Sequence, residues 1–421
     1  MAPIELLTIG TELLLGFTLD TNSAEMGRAL AAAGIPVVRR TSVTDDPAAI
    51  RDAANQALSR TGAFISTGGL GPTADDITKK VIADLFGMPL EFRPELWEGL
   101  VARFKRYGRT PAEKNRSQAE VPVGATVLPN RWGTAPGLWL EGAAGLAILL
   151  PGVPVEMRGL LTNEVLPRLT ARAEGKVVRS RMVRTTAIPE STLAERLGPI
   201  EGTLAPLTLA YLPGVEGVDL RLTAWNLEPA DAEAKLERGV ALLTARAGEW
   251  CYGVGEADLA ELVLARARER GLHLATAESC TGGGVGTRLT AIPGSSDVFV
   301  GGVIAYDNRI KTQALGVPVE LIQQHGAVSG QVAEAMVQGV SSRVGVELAI
   351  AVTGIAGPGG GTAEKPVGLV FIATSVAGAS QVHRHVLPGD RSEVRARAGQ
   401  LALFRLLQQL TSAQSEPRIP M

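Results

Sequence analysis

A short polar turn with three glycines, residues 276–284, carries the side chains best suited to nucleophilic chemistry. An apolar run leads into this turn, and the helix-compatible run 285–291 follows it. This order predicts that Ser279, Cys280 or Thr281 lies at the carboxyl end of a strand, where open α/β folds bind ligands. Free N–H groups at the helix start would favour an anion. The alternative is that Ser279 or Thr281 only caps the helix, but three successive glycines exceed what a cap needs.

A second glycine-rich turn, residues 68–71, lies between a predicted strand and a predicted helix. Such turns bring backbone N–H groups close to phosphates. Two carboxylates, Asp75 and Asp76, follow at once, and carboxylates beside a phosphate cradle suggest a hard cation such as Mg²⁺. Taken singly, Asp76 is equally typical of a carboxylate favoured at a helix start, and Glu156 is more typical of a solvated helix start than of a ligand. The predicted substrate-binding residues here are Thr67, Gly68, Gly69, Gly71, Asp20 and Asn22; the predicted metal ligands are Asp75, Asp76 and Glu156, with Asp76 also catalytic.

Composition limits the function classes. The chain has 421 residues, 45% of them hydrophobic, which indicates two or three domains with large cores. With 41 basic and 43 acidic residues the net charge is −2, and nothing favours nucleic acid or an anionic membrane as a partner. Two cysteines exclude a disulfide framework and favour a reducing, cytoplasmic setting. The first apolar run, Leu6 to Leu15, is too short to span a bilayer.

Predicted strands and helices alternate in the first and last parts of the chain. This pattern predicts α/β domains with a mostly parallel, doubly wound sheet. Helices are expected to begin at caps Ser23, Asp258 and Asn308. The expected domains are 1–170, a small α+β linking domain 171–252 that acts as a spacer or dimerisation unit, a third domain 253–412, and a polar, disordered tail 413–421.

The order of short motifs resembles two known families. The string from Thr67 to Thr78 and the turn 151–154 resemble the molybdopterin-cofactor-biosynthesis fold, although 70–75 depart from its pattern. Over the whole chain the sequence is similar to the competence/damage-inducible CinA family. The matching motifs are Gly10-Thr11-Glu12-Leu13-Leu14, Pro154-Val155-Glu156-Met157, Ala277-Glu278-Ser279-Cys280-Thr281-Gly282-Gly283, Gly294-Ser295-Ser296, Tyr306-Asp307-Asn308, Lys311, His325-Gly326-Ala327-Val328-Ser329, Thr353-Gly354-Ile355-Ala356-Gly357-Pro358, Lys365-Pro366-Val367-Gly368 and Gly389-Asp390-Arg391.

This resemblance implies two hydrolases in a cytoplasmic homodimer. The N-terminal domain, of the molybdopterin-binding-like type, would cleave ADP-ribose to AMP and ribose 5-phosphate with a divalent metal (Mg²⁺, Mn²⁺ or Co²⁺) and possible involvement of K⁺. The C-terminal domain would be a nicotinamide-nucleotide amidase without a cofactor, which converts nicotinamide mononucleotide to nicotinate mononucleotide and ammonia. The rival interpretations are a nucleotide-sensing or competence-linked interaction protein and a molybdopterin-binding protein. No nucleic acid or membrane partner is expected.

Amide hydrolysis needs a nucleophile, a base and an oxyanion donor. Among the histidines only His325 lies in a motif-like loop, so a Ser–His–Asp triad has little support. A Ser–Lys pair assisted by Tyr306 is favoured, because Lys311 follows within a few residues and burial can lower a lysine pKa.

The nucleophile stays open among Ser296, Ser279 and Cys280. Ser296 is nearest in sequence to Tyr306, Ser279 has the better position at a helix start, and free cysteines are usually inert. The remaining predicted substrate-binding residues are Thr281, Gly282, Gly283, Thr353, Gly354, Gly357 and Arg391, the last as a bidentate phosphate partner.

Overall fold

The computed structural model describes residues 3–172 and 177–412. By contact the chain forms two compact units, Met1–Ser180 with Thr223–Leu236 and Arg181–Leu222 with Glu237–Met421. The expected linking domain, 171–252, contributes segments to both units, and its boundaries stay a prediction. The expected tail, 413–421, lies outside the described residues.

The N-terminal part alternates strands with helices as predicted. Its strands are β1 Ile4–Ile9, β2 Val37–Val43, β3 Ala63–Thr67, β4 Leu90–Phe92, β5 Glu120–Pro122, β6 Thr126–Leu128, β7 Gly137–Gly142 and β8 Gly145–Leu150. Its helices are α1 Thr11–Leu14, α2 Thr21–Ala32, α3 Pro47–Thr61, α4 Thr78–Leu85, α5 Pro94–Arg106, α6 Pro154–Leu160 and α7 Leu166–Thr170, with a 3₁₀ segment at Glu113–Ala119 and a π segment at Leu161–Val165.

The main N-terminal sheet has the strand order β2-β1-β3-β8-β7-β6. The first four strands are parallel, and β7 and β6 add an antiparallel edge. Strands β1 and β3 are buried throughout, because helices cover both faces of the sheet. Thr67 at the end of β3 pairs with Thr8 of β1 and Leu150 of β8, so three strands end side by side.

The next segment contains β9 Val177–Thr185, α8 Glu190–Leu197, α9 Glu201–Leu204, β10 Thr208–Pro213, β11 Val218–Leu227, α10 Pro229–Ala247, a 3₁₀ turn Gly248–Trp250 and β12 Cys251–Val254. These strands form a sheet in the order β10-β11-β9-β12. The small α+β character predicted for this segment is therefore present.

The C-terminal part contains β13 Leu274–Glu278, β14 Phe299–Ile304, β15 Leu348–Gly354, β16 Leu369–Val376 and β17 Ala379–Val386. Its helices are α11 Leu259–Glu269, α12 Gly284–Thr290, α13 Asn308–Leu315, α14 Val319–His325, α15 Gly330–Val344 and α16 Arg391–Ser412, with a 3₁₀ turn at Ser295–Asp297.

The C-terminal sheet has the strand order β14-β13-β15-β16-β17. The first three strands are parallel, and the last two form an antiparallel hairpin. One apolar layer joins the sheet to α11, α12 and α16, and a second joins it to α13 and α15. Both regions are thus α/β with helices on both faces of the sheet, as the alternation of elements predicted.

Two predicted helix caps were wrong, one by three residues and one by a single residue. Helix α2 begins at Thr21, and Asp20 caps it by accepting the N–H of Ser23 at 2.9 Å. Helix α13 begins at Asn308, and the cap is Asp307, which accepts the N–H of Arg309 at 2.8 Å. In both cases an aspartate just upstream supplies the acceptor oxygen. The third predicted cap, Asp258 on α11, is confirmed.

Within residues 3–172 and 177–412, no helix is both long enough and apolar enough to cross a bilayer.

Candidate active site

The C-terminal site forms where three parallel strands end together. Glu278 of β13 stands opposite Ile304 of β14 and Val352 of β15. The N–H of Ser279 donates to the Val352 carbonyl at 2.9 Å, so Ser279 still follows the sheet before the chain turns. Neighbouring strands lie about 4.8 Å apart, which places the start of the turn beside the residues that end β14 and β15.

Lys311 is the buried cation of this edge. Its residue is 1% exposed, and its ammonium donates to the carbonyls of Ala305 at 2.8 Å and Tyr306 at 3.1 Å. Burial lowers the pKa of Lys311, although nearby Asp307 and Cys280 partly oppose this shift. The N–H of Ala305 donates to the Glu278 carbonyl at 2.8 Å, so the backbone that accepts from the Lys311 ammonium lies beside the end of β13, directly before Ser279. A lysine in this state is suited to accept a proton from a neighbouring hydroxyl.

Cys280 does not fit the role of nucleophile. Burial raises the pKa of Cys280 to about 12. The thiolate is the reactive form, so at neutral pH only a very small fraction of the sulfur would react. The structure leaves Cys280 as a buried, inert thiol.

Ser296 lies at the opposite edge of the sheet from Tyr306 and Lys311. This corrects the expectation, drawn from nearness in sequence, that Ser296 is the nucleophile beside these two residues. It is exposed in the 3₁₀ turn before β14, where the Val298 carbonyl accepts the N–H of Leu274 at the start of β13. Strands β13 and β14 are parallel, so Ser296 lies at the amino edge of the sheet, whereas Lys311 contacts the carboxyl edge. The length of β14, at about 3.3 Å per residue, separates the two groups.

A carboxylate of the protein caps the start of α12. The carboxylate of Glu278 is 1% exposed and accepts the N–H groups of Val285 at 3.1 Å and Gly286 at 2.8 Å. A side-chain cap of this kind satisfies the free donors of a helix start. These two N–H groups are therefore not free for a substrate anion, which corrects the expectation for the helix start, and the capping role of Glu278 was not predicted.

Three turn residues remain available to a ligand. Gly282 is exposed and Gly283 is partly exposed, both with left-handed backbone angles. The hydroxyl of Thr281 is buried and has no hydrogen-bond partner within the described part of the chain. The Thr281 carbonyl accepts a hydrogen bond from Arg395 at 2.9 Å, which fixes the turn from outside. Arg395 was not predicted, since one arginine on a long helix gives no sequence signal.

Tyr306 and Arg391 form the rim of the site. Tyr306 is 61% exposed, and its hydroxyl accepts a hydrogen bond from the Arg391 guanidinium at 3.0 Å. Arg391 also donates to the Gly357 carbonyl at 2.8 Å. The structure thus brings together Tyr306, Arg391 and Gly357 as predicted neighbours of one edge.

Thr353 and Gly354 have structural partners. The Thr353 hydroxyl donates to the Ala327 carbonyl at 2.9 Å. A side chain at Gly354 would press on the Leu369 carbonyl oxygen of the neighbouring strand, at 2.7 Å. Packing therefore explains both residue types, and their predicted contact with substrate stays a prediction.

The N-terminal site is a small cavity of about 120 Å³ at the ends of β1, β3 and β8. Asn22 spans it: its Nδ2 donates to the Thr67 hydroxyl at 3.1 Å and to the Gly152 carbonyl at 2.7 Å. These two bonds fix the amide orientation, and the buried Oδ1 has no partner among residues 3–172 and 177–412. The free group is therefore an acceptor, which suits a ligand hydroxyl or N–H. Asp20 and Gly68 also line the cavity, although the Asp20 carboxylate is used as the α2 cap.

Close packing accounts for the glycines of the 68–71 turn. A side chain at Gly68 would overlap the Ile9 carbonyl, one at Gly69 would overlap the Thr78 hydroxyl, and one at Gly71 would overlap the Asp76 carboxylate. The Asp76 carboxylate accepts the N–H of Thr73 at 2.8 Å and also its hydroxyl. The predicted catalytic Asp76 is thus held within its own loop.

The predicted metal ligands do not assemble into one site. Asp75 is exposed, and Glu156 contacts Asn130, whose Nδ2 donates to it at 2.6 Å. Burial raises the pKa of Glu156 against the opposing effect of Asn130. In the described ranges no three histidine, cysteine, aspartate or glutamate side chains come together as a metal site would require. Asp75, Asp76 and Glu156 therefore do not share one site, and a divalent metal held by fewer of them stays a prediction.

Lys79 is a further residue of this region that the sequence analysis missed. Burial lowers the pKa of Lys79 from 10.5 to about 8, while Glu120 and Asp76 oppose the shift. Its ammonium donates to the Ser117 carbonyl. The sequence could have indicated this residue, because the lysine directly follows Thr78 at the start of a helix that comes after a glycine turn.

Comparison with known proteins gives matches over nearly the whole chain. Three family models match: "CinA C-terminal domain" over residues 256–410, "Probable molybdopterin binding domain" over 5–171 and "Damage-inducible protein CinA KH domain" over 180–253. The CinA-like protein of Gemmatimonas aurantiaca is 53% identical over 407 residues, which is 96% of this chain and 95% of that protein. A CinA-like protein of a Synechococcus strain is 45% identical and covers 97% of each chain.

Among solved structures, the competence/damage inducible protein CihA from Agrobacterium tumefaciens is 42% identical and covers 37% of this chain and 96% of its own, with a TM-score of 0.35.

Proposed function

Because the chain belongs to the family of CinA-like proteins, we propose that its C-terminal part is an amidohydrolase for nicotinamide mononucleotide, with Ser279 as nucleophile and Lys311 as base. The observation that carries the proposal is the buried Lys311 ammonium, fixed on two carbonyls at the sheet edge where Ser279 leaves β13. Of the three candidate nucleophiles, Ser279 alone combines this position with a hydroxyl that a lysine can activate.

The proposed reaction has two steps. In the first, Lys311 takes the proton of the Ser279 hydroxyl as the oxygen attacks the carboxamide carbon, and the lysine returns that proton to the departing ammonia. In the second, water hydrolyses the acyl ester, and nicotinate mononucleotide leaves. The unpartnered Thr281 hydroxyl is the donor available to the oxyanion.

The rim supports recognition of the nucleotide. Arg391 keeps a fixed orientation through the Gly357 carbonyl and the Tyr306 hydroxyl. A guanidinium held in this way is a suitable partner for the substrate phosphate. Tyr306 offers an exposed ring close by, which suits the pyridine ring.

Ammonia release from nicotinamide mononucleotide tests the proposal. Ser279→Ala should lower kcat by about 10³-fold or more, because the covalent step is lost. Ser296→Ala is the matched control, since it removes the same hydroxyl from the opposite edge of the same sheet, and it should keep wild-type turnover. Loss of activity in Ser296→Ala with retention in Ser279→Ala would reject the assignment.

A second candidate function concerns the N-terminal cavity. We propose that it binds the ribose of ADP-ribose through the free Asn22 Oδ1 and that the bound diphosphate is cleaved there. Since the three predicted carboxylates do not share one site, no step is assigned to a metal. Incubation of the full chain with ADP-ribose, with and without a chelator, tests this second activity through AMP release. Binding without AMP release would instead support a nucleotide sensor, and copurified pterin would support a molybdopterin-binding protein.

The homodimer implied by the family resemblance is likewise a proposal, and its test is the molar mass of the full chain in solution.

A further inference from the structure

A second cavity in the C-terminal unit shares none of its lining residues with the proposed amidase site. Its volume is about 470 Å³, within the range of small-molecule sites. One wall comes from residues 186–190 and 213–218, and the other from β17 and α16. The first wall is tied together by the Thr186 hydroxyl, which donates to the Glu216 carbonyl at 2.6 Å.

Two buried nitrogen atoms with no hydrogen-bond partner in the described chain belong to residues that line this cavity, Nε of Arg397 and Nε2 of His385. The third polar side chain of this wall, Gln400, is 1% exposed and engaged by the protein: its Oε1 accepts a hydrogen bond from Arg288 at 2.7 Å, and its amide interacts with the Tyr252 hydroxyl. Unsatisfied buried donors are uncommon and call for a partner.

Most of the remaining lining is apolar, and one residue in it is strained. Ile188, Val215 and Leu387 are among the apolar residues that face the cavity. Ala187 has a φ of 63°, in the left-handed region that alanine rarely adopts. Such strain persists at ligand sites when the surroundings enforce it.

We infer that this cavity binds a small monocarboxylate with an apolar body. The guanidinium of Arg397 matches the geometry of a carboxylate, and the apolar walls accept a ring or a branched chain. The charge of the lining favours a monoanion: Arg397 supplies one positive charge, Glu216 at the margin is already paired with Arg288 at 3.5 Å, and Glu190 is exposed to solvent. A phosphate dianion would be repelled by these carboxylates with too little positive charge to compensate.

Isothermal titration of the full chain with benzoate tests this inference, with benzyl alcohol as the uncharged analogue and inorganic phosphate as the rival anion. Benzoate should bind once per chain, at least about tenfold more tightly than either comparator. Arg397→Met should remove this preference. Arg384→Met is the control: it removes a cation next to His385 on β17, from the position that faces the other side of the sheet. This variant should retain the preference for benzoate. Equal binding of benzoate and benzyl alcohol, tighter binding of phosphate, or benzoate binding that survives Arg397→Met would overturn the inference.

Thermal unfolding supplies a second readout that needs no ligand. If the Arg397 guanidinium has no partner in the free protein, Arg397→Met should leave the melting temperature unchanged or raise it. A fall of several degrees would show that the protein itself satisfies this group, and the inference would then fail.

Discussion

Both candidate sites lie at the carboxyl ends of three parallel strands, but the two sheet edges use their acidic side chains differently. In the C-terminal region one buried carboxylate, Glu278, turns inward to cap α12, while Lys311 of α13 donates to a backbone carbonyl at the same sheet edge. In the N-terminal region the carboxylates are engaged by separate local partners, Asp76 by Thr73 and Glu156 by Asn130. Parallel strands and a glycine turn therefore bring backbone segments together, but local hydrogen bonds decide which side chains converge.

Replacing Lys311 should give the largest effect. Lys311→Met should lower kcat/KM for nicotinamide mononucleotide by about 10²- to 10⁴-fold, the usual contribution of a general base. Ammonia release measures it. The matched control is Lys365→Met, because the Lys365 ammonium also donates to two backbone carbonyls, those of His325 and Val328. An equal loss of kcat/KM in both variants would indicate a structural role for Lys311.

The pH profile separates a base from a structural lysine. Catalysis needs the neutral amine, and burial lowers the pKa of Lys311 below the ordinary value for lysine. Activity should therefore rise with pH through that lowered pKa and level off above it. Lys311→Arg should stay inactive across the range, since a guanidinium does not deprotonate. A wild-type profile that is flat from neutral to alkaline pH would contradict this role.

Removal of the Glu278 carboxylate should lower the free energy of unfolding more than removal of any acidic residue of the N-terminal turn. Glu278→Ala leaves two buried N–H groups without an acceptor and opens a small cavity, so it should lower the free energy of unfolding by about 3 kcal/mol. Denaturant unfolding measures the loss. Glu320, exposed in the first turn of α14, is the control, and Glu320→Ala should change the free energy by less than about 0.5 kcal/mol. Similar losses of unfolding free energy in Glu278→Ala and Glu320→Ala would show that the hydrogen bonds of the buried carboxylate contribute little to stability.

Much of the fold could be read from the sequence, but less of the site. The alternation of apolar runs and glycine turns predicted both α/β regions and the placement of Ser279, Thr67 and Gly68 at strand ends. Sequence nearness suggested that Ser296 joins Lys311, but a strand can separate close neighbours in sequence by its full length. The inward turn of Glu278 was also missed, although an acid at the end of an apolar strand, followed by a helix whose N-cap is Gly283, is a usable signal.

Lys79 gives the N-terminal region a pH dependence of its own. Its pKa is about 8 in the folded chain against 10.5 for an ordinary lysine, because of burial. The folded state thus binds fewer protons between these values, and stability should rise with pH in that window relative to Lys79→Met. The gain is about 3 kcal/mol. Unfolding free energies of wild type and variant from pH 7 to 11 measure it. The unfolding free energy of Lys80→Met, at the exposed neighbouring position, should change with pH as that of wild type does. The same pH dependence in Lys79→Met would contradict the lowered pKa assigned to Lys79.

The smallest effect should come from Asn22, and it tests whether the N-terminal cavity is a ligand site or only a packing device. In Asn22→Asp the side chain keeps its shape but loses both hydrogen bonds that Nδ2 donates, to the Thr67 hydroxyl and the Gly152 carbonyl. Stability should fall by about 2 kcal/mol, and the new charge should weaken ADP-ribose binding by repelling its diphosphate. Asp20→Asn is the control, because asparagine also caps a helix. Calorimetric titration with ADP-ribose decides the outcome: if Asn22→Asp loses stability but binds as wild type does, the residue only joins strand ends and the ligand lies elsewhere.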